Sequence, residues 1–299
     1  MGSRELSTLL ENGHFFEAPR WRDGRWWISD FYSYTVQTVD ADGNAEAVLE
    51  VEGQPSGLGW MPDGALLVVS MTDHTILRRG DTGAVTVHAD LSEHCGGHLN
   101  DMVVDAAGRA YVGNFGFDVM AAADPAETVL VRVDPDGSVH VAAEGLRFPN
   151  GSMITPDGAQ LIVAETIAGR FSVFAIAADG SLGERTIWQV GAAPALTTFA
   201  EMLPQETFTP DGCTLDADGH VWAADAVFQR VCRVAPGGQI VEEIAMPEGL
   251  GVFACQLGGE DGRTLLMCAA PDFFEESRRA AREAVLLTTT VEIPHAGLP

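Results

Sequence analysis

The stretch FPNGSMITPDGAQLIVAE, residues 148–165, decides the fold. Two short apolar runs flank Pro156-Asp157-Gly158. An Asp-Gly pair suits a tight reversal because glycine accepts a positive φ at little cost. The segment therefore reads as strand, turn, strand. The same reading recurs along the chain: RWWISD (25–30), ALLVVS (65–70), RAYVGN (109–114), HVWAAD (220–225) and TLLMCA (264–269) each follow a turn ending in glycine. The six turn glycines are Gly24, Gly64, Gly108, Gly158, Gly219 and Gly262, spaced 40 to 61 residues apart. A second set of turns, DADG (40–43), DPDG (134–137), AADG (177–180) and APGG (235–238), follows many of these runs.

Four strands per repeat of this length, repeated six times, predict an all-β, six-bladed β-propeller of four-stranded antiparallel blades around a central channel, with residues 1–299 forming a single domain. A parallel α/β fold needs amphipathic helices between its strands, and only FFEESRRAAREAV (273–285) reads as one. The longest interval contains VGAAPALTTFAEMLPQETF (190–208), which is expected to be an insertion over one end of the channel. Residues near 4–12 are expected to close the ring as an outer strand of the last blade.

Composition narrows the chemistry. Arginine and lysine total 17 against 43 acidic residues, for a formal charge of −26, and all 17 are arginine. Without lysine there is no lysine Schiff base and no phosphate-loop lysine. The negative field opposes a phosphate backbone, so no nucleic-acid partner is expected. No apolar run approaches the roughly 18–20 residues that span a membrane, and the first residues lack the basic flank and apolar run of a signal peptide. The expectation is a cytoplasmic protein without a membrane partner. The five cysteines are scattered and suggest neither a zinc ribbon nor a disulfide framework.

The repeat assigns phase to the polar residues. Counting seven or eight residues back from the turn glycine reaches Glu17, Asn100, Asn150 and Asp211, while the other two units carry Ser56 or Gly57, and Ala254. In a propeller the first strand of each blade lines the channel, so these positions form a ring. Asn150-Gly151 and Asp211-Gly212 are singly turn dipeptides; the shared phase across four units favours a joint site. Two carboxylates and two amides suit a hard divalent cation, with Ca2+ ahead of Mg2+, Mn2+ or Zn2+. Asp30, Ser70, Asn114, Glu165 and Asp225 end the second strands near the same mouth. Asn114, within GNFGFD (113–118), and His98 are the substrate-binding candidates.

At these residues the chain resembles the gluconolactonase, regucalcin and senescence-marker-protein family of six-bladed propellers. FEAPRW (16–21), LNDMVVDAAGR (99–109), FPNGSMITPDG (148–158) and PDGCTLDADGHVW (210–222) carry the resemblance. It implies that Glu17, Asn100, Asn150 and Asp211 hold one divalent metal and that the chain opens lactone rings. His98 stands where sugar-lactone members carry an arginine that grips substrate hydroxyls, so the resemblance implies a lactone substrate without implying an aldonolactone. The expected reaction is ring opening of a small-molecule lactone by metal-activated water, with Asp211 or Asp101 as general base. A phosphotriester or aryl ester hydrolase on the same site, and a non-catalytic calcium-binding propeller, are the competing readings.

Overall fold

All six turn glycines have positive φ, between 70° and 86°, and each sits in a tight reversal joining the first two strands of a sheet. At Gly158 the amide donates to the Thr155 carbonyl at 2.8 Å, which closes the turn. The computed structural model describes residues 4–297. It contains six four-stranded antiparallel sheets, the blades of a six-bladed propeller. The inner strands are Phe16–Arg22, Pro55–Trp60, Leu99–Val104, Pro149–Ile154, Pro210–Leu215 and Gly251–Gly258, here the inner strands of blades 1 to 6. They pack side by side in a closed ring around the axis.

Each inner strand carries a register shift just past its first residues, between Glu17 and Arg20, Pro55 and Leu58, Leu99 and Met102, Pro149 and Ser152, Pro210 and Cys213, and Val252 and Ala254. A bulge re-aims a side chain out of the sheet's alternation. Here it falls at the positions whose phase the sequence singles out. Neighbouring inner strands come very close at this level: a Cβ on Gly151 would lie 2.4 Å from the Asp211 carbonyl oxygen.

Blade 6 is completed by Ser7–Gly13, which pairs antiparallel with Ala284–Thr290, Ser7 opposite Thr288. The long interval before blade 5 holds a one-turn helix, Phe199–Met202, and the 3-10 turn Leu203–Gln205. The stretch 273–285 is helical only over Glu275–Ala280. Its end is taken by the strand Ala284–Thr290, whose pairing with Thr264–Ala270 outweighs the helical propensity of the REA segment. The core lies between the blades, built from the apolar residues of the middle strands. All five cysteines are free and four are buried. Among the described residues no helix is long and apolar enough to cross a membrane.

Candidate active site

The bulges turn Glu17, Asn100, Asn150 and Asp211 toward one end of the channel, where they form the floor of a cleft. Asn100 Nδ2 donates to Asn150 Oδ1 at 2.9 Å, Asn150 Nδ2 donates to Thr166 Oγ1 at 3.1 Å, and Ser56 Oγ donates to Asn100 Oδ1 at 3.3 Å. Blades 2, 3 and 4 are thereby tied together along the floor. Glu17 Oε2 accepts the Ala18 amide at 2.9 Å, an arrangement reached through the positive φ of Ala18 (48°). In blade 6 Phe253 supplies the cleft side chain, while Ala254 packs against Gly212.

The electrostatics of the floor are dominated by buried negative charge. Burial raises the Glu17 carboxyl well above the usual carboxylate range, and the neighbouring Asp211 adds to the effect. Burial likewise raises Asp211, with the charge of Asp101 adding and the Asn150 amide opposing. The nearest cation, Arg20, is engaged elsewhere. Its Nη2 donates to Asp101 Oδ1 at 2.7 Å and to the Met102 carbonyl at 2.8 Å. Two carboxylates therefore share a desolvated site whose nearest cation, among the described residues, is already paired with Asp101.

Above the floor the cleft is aromatic. Its volume is about 100 Å3. Phe15 packs on Phe31 and Phe253, with ring centroids 5.2 and 4.8 Å apart. Phe115 packs on Phe148 at 4.6 Å, and Phe117 on Phe199 at 6.2 Å. Phe199 and Leu203, from the 190–208 insertion, complete the wall over the channel mouth. Tyr32 is also in this wall, and burial raises its hydroxyl so that it remains a proton donor.

The remaining residues singled out in the sequence take other places. Asp101 is buried but does not line the cleft; its Oδ1 also accepts the Met102 amide at 2.8 Å. Asn114 is fully buried and spent on its own loop, donating to the Val129 carbonyl and accepting from the Gly116 amide and Thr128 hydroxyl. His98 lines an adjoining hollow with His74 and Cys95 rather than the cleft, and burial followed by the neighbouring His74 keeps its ring neutral by lowering its pKa. Asp30, Glu165 and Asp225 share one structural task. Asp30 accepts the amides of His14 and Phe15, Glu165 that of Arg147, and Asp225 that of Thr209, so each anchors the loop entering an inner strand. The aromatic wall escapes the sequence reading although part of it keeps phase: Phe15 and Phe148 each stand two residues before a floor residue, and Phe31 and Phe115 each follow the polar residue that ends a second strand, a recurrence that counting polar residues alone passes over.

A second acidic group, Asp216, Asp218 and His220, lies in the blade 5 turn. Both Asp216 oxygens are committed, Oδ1 to the Asp218 and His220 amides and Oδ2 to Arg233, so the group is an arginine-braced turn.

Residues 15–271 match the SMP-30/Gluconolactonase/LRE-like region. The chain belongs to that family. Among relatives of this SMP-30/Gluconolactonase/LRE-like chain, the pentonolactonase XacC of Haloferax volcanii is 29% identical over 70% of the chain, a match that spans 65% of the relative, just under two thirds of its length. The 6-deoxy-6-sulfogluconolactonase of Pseudomonas putida is 25% identical over 95% of the chain and 93% of its own length. The SMP-30/Gluconolactonase/LRE-like fold is shared with a calcium-binding protein, regucalcin, from Agrobacterium tumefaciens, with a TM-score of 0.78 at 20% identity, covering 100% of this chain and 99% of that one.

Proposed function

We propose that the chain is a lactonase that opens the ring of a small-molecule lactone by adding water across its ester bond, at a divalent cation held by Glu17, Asn100, Asn150 and Asp211. The observation that carries this reading is the pair of desolvated carboxylates at the cleft floor, whose nearest arginine among the described residues is bound to Asp101. An uncompensated buried pair of this kind fits a cation better than empty space. The donors are all oxygens, which suits calcium, whose six to eight ligands leave places for water and substrate. The two lactonase relatives and the calcium-binding neighbour support the same reading.

A divalent cation in this site supplies charge stabilisation for the carbonyl oxygen as it becomes an oxyanion and acidifies an adjacent water. The chain supplies the rest. Asp211 takes the proton from the attacking water and returns it to the ring oxygen as the ester bond breaks, giving a hydroxy acid. Asn100 and Asn150, fixed by their mutual hydrogen bond, hold the geometry of the floor. The Asp101–Arg20 ion pair braces it from below. The aromatic walls exclude water from the reacting ester.

The test is hydrolysis of a lactone panel with calcium, after chelation, and after calcium is restored. Activity should vanish and return. Asp211→Asn should lower kcat by about 10²-fold or more, the usual contribution of a general base. Activity that survives chelation, or that is unchanged in Asp211→Asn, rejects the mechanism.

A further inference from the structure

The cleft is polar at its floor and apolar everywhere else, and the few polar side chains in its wall are already engaged. Thr166 Oγ1 donates to the Pro210 carbonyl at 2.7 Å, and Thr209 Oγ1 donates to Asp225 at 3.0 Å. The amide groups of Asn100 and Asn150 donate to Asn150 and Thr166. Among the described side chains lining the cleft, the Tyr32 hydroxyl is the one donor left above the floor.

The aromatic residues fall into two sets on opposite sides of the axis. Phe15 and Phe31 of blade 1 join Phe253 and Phe273 of blade 6. Across the ring, Phe115 of blade 3 joins Phe148 of blade 4. Flat groups prefer offset or edge contact with such rings, and two facing aromatic walls select a planar apolar guest.

We propose that the substrate is a lactone carrying a flat aryl group, which lies between the two aromatic sets while the ester reaches the oxygen floor. This rests on the lactonase reading above and adds the substrate class. A polyhydroxylated sugar lactone brings several hydroxyls into a wall with one free donor, and each buried hydroxyl left without a partner costs roughly tenfold in affinity. An aryl group instead gains from every ring it touches. Tyr32 is left to donate to the ring oxygen or to one substituent.

The experiment compares kcat/KM of the calcium-supplied protein for dihydrocoumarin, a medium-chain alkyl lactone and gluconolactone, corrected for spontaneous opening. The aryl lactone should exceed gluconolactone by about 10²-fold, the discrimination one pocket of this kind delivers. In Phe148→Ser, which removes one ring of the second set, the ratio of the two should fall about tenfold. Gluconolactone opened as well as or better than dihydrocoumarin overturns the aryl assignment and leaves the lactonase reading intact. Preference for the alkyl lactone, or an unchanged ratio in Phe148→Ser, also overturns it. If no lactone is opened, the lactonase reading fails by itself, and calorimetry with dihydroquinolinone, the lactam of the same shape, decides the aryl assignment. Saturable binding of this lactam in preference to gluconolactam upholds it, and absence of binding overturns it.

Discussion

Arg20 and Asp101 form an ion pair 2.7 Å apart in the floor of the channel, with side-chain exposures of 5% and 7%. Removing one partner of such a pair strands the other charge in a desolvated place. Arg20→Met should therefore lower stability by about 3–5 kcal/mol, whereas the double variant Arg20→Met/Asp101→Leu should recover most of that loss. Equilibrium urea unfolding of both variants checks the expectation. A double variant no more stable than Arg20→Met contradicts it.

Gly151 and Gly158 lie seven residues apart yet should respond differently to alanine. At Gly151 the new Cβ would meet the Asp211 carbonyl oxygen at 2.4 Å and the Cys213 amide nitrogen at 2.6 Å. Neither backbone atom can yield without separating blades 4 and 5, so Gly151→Ala should cost about 3 kcal/mol or more and weaken calcium binding with it. At Gly158 nothing lies within 4 Å, and only the positive φ of 70° opposes a side chain. Gly158→Ala should cost about 1 kcal/mol and leave calcium affinity unchanged. Thermal unfolding and calcium titration of the two variants measure both effects.

Asn114 is hydrogen-bonded within the fold and does not line the cleft. Its three hydrogen bonds close the loop that carries Phe115 and Phe117. Asn114→Ala should cost about 2–4 kcal/mol, since it leaves buried partners unsatisfied. At a temperature where the variant stays folded, KM should stay within a factor of about three of the parent value, because the side chain does not reach the cleft. A large KM increase with unchanged stability would argue for direct substrate contact.

Glu206 provides a pH dependence. The residue is buried, and neither carboxyl oxygen has a hydrogen-bond partner among the described residues. Burial pushes its carboxyl up from 4.5 to about 7, against the opposing charge of Arg147. The folded state therefore holds this proton more tightly than the unfolded chain does. Its contribution to stability is fully present below about pH 4.5 and is lost as pH rises through about 7. Glu206→Gln should flatten the decline between those values and stabilise the protein at pH 8 by on the order of 3 kcal/mol at most. Unfolding midpoints across this range, parent against variant, should converge at acid pH; parallel curves refute the assignment.

The turn glycines made the blades legible because a tight reversal needs a residue that tolerates positive φ, and that demand leaves a mark at fixed spacing. The floor was legible for the same reason. Glu17, Asn100, Asn150 and Asp211 keep phase with Gly24, Gly108, Gly158 and Gly219 because one bulge recurs in each inner strand. The walls were only partly legible. Phe148 precedes Asn150 by two residues as Phe15 precedes Glu17, a shared phase visible once apolar positions are counted, whereas Phe199 lies inside an insertion that no repeat places. Asn114 illustrates the opposite case: glycines at 113 and 116 resemble a ligand loop, but they allow the asparagine to turn inward onto its own backbone. The helix expected over 273–285 stopped early because Val285 and Leu286 belong to a strand paired on both sides, a long-range demand that local propensity does not encode.

The pairing of Ser7–Gly13 with Ala284–Thr290 sets a schedule for biogenesis. The closing strand leaves the ribosome about 270 residues before its partner. At roughly 5–20 residues per second it waits about 15–55 s for that partner to emerge. Until then blade 6 cannot be finished, and the ring stays open between blades 6 and 1. The waiting strand, STLLENG, is mostly polar or half-exposed even in the finished protein, which makes it a poor nucleus for pairing with another nascent chain. Growth conditions that slow elongation should lengthen this open interval without making the strand itself more adhesive.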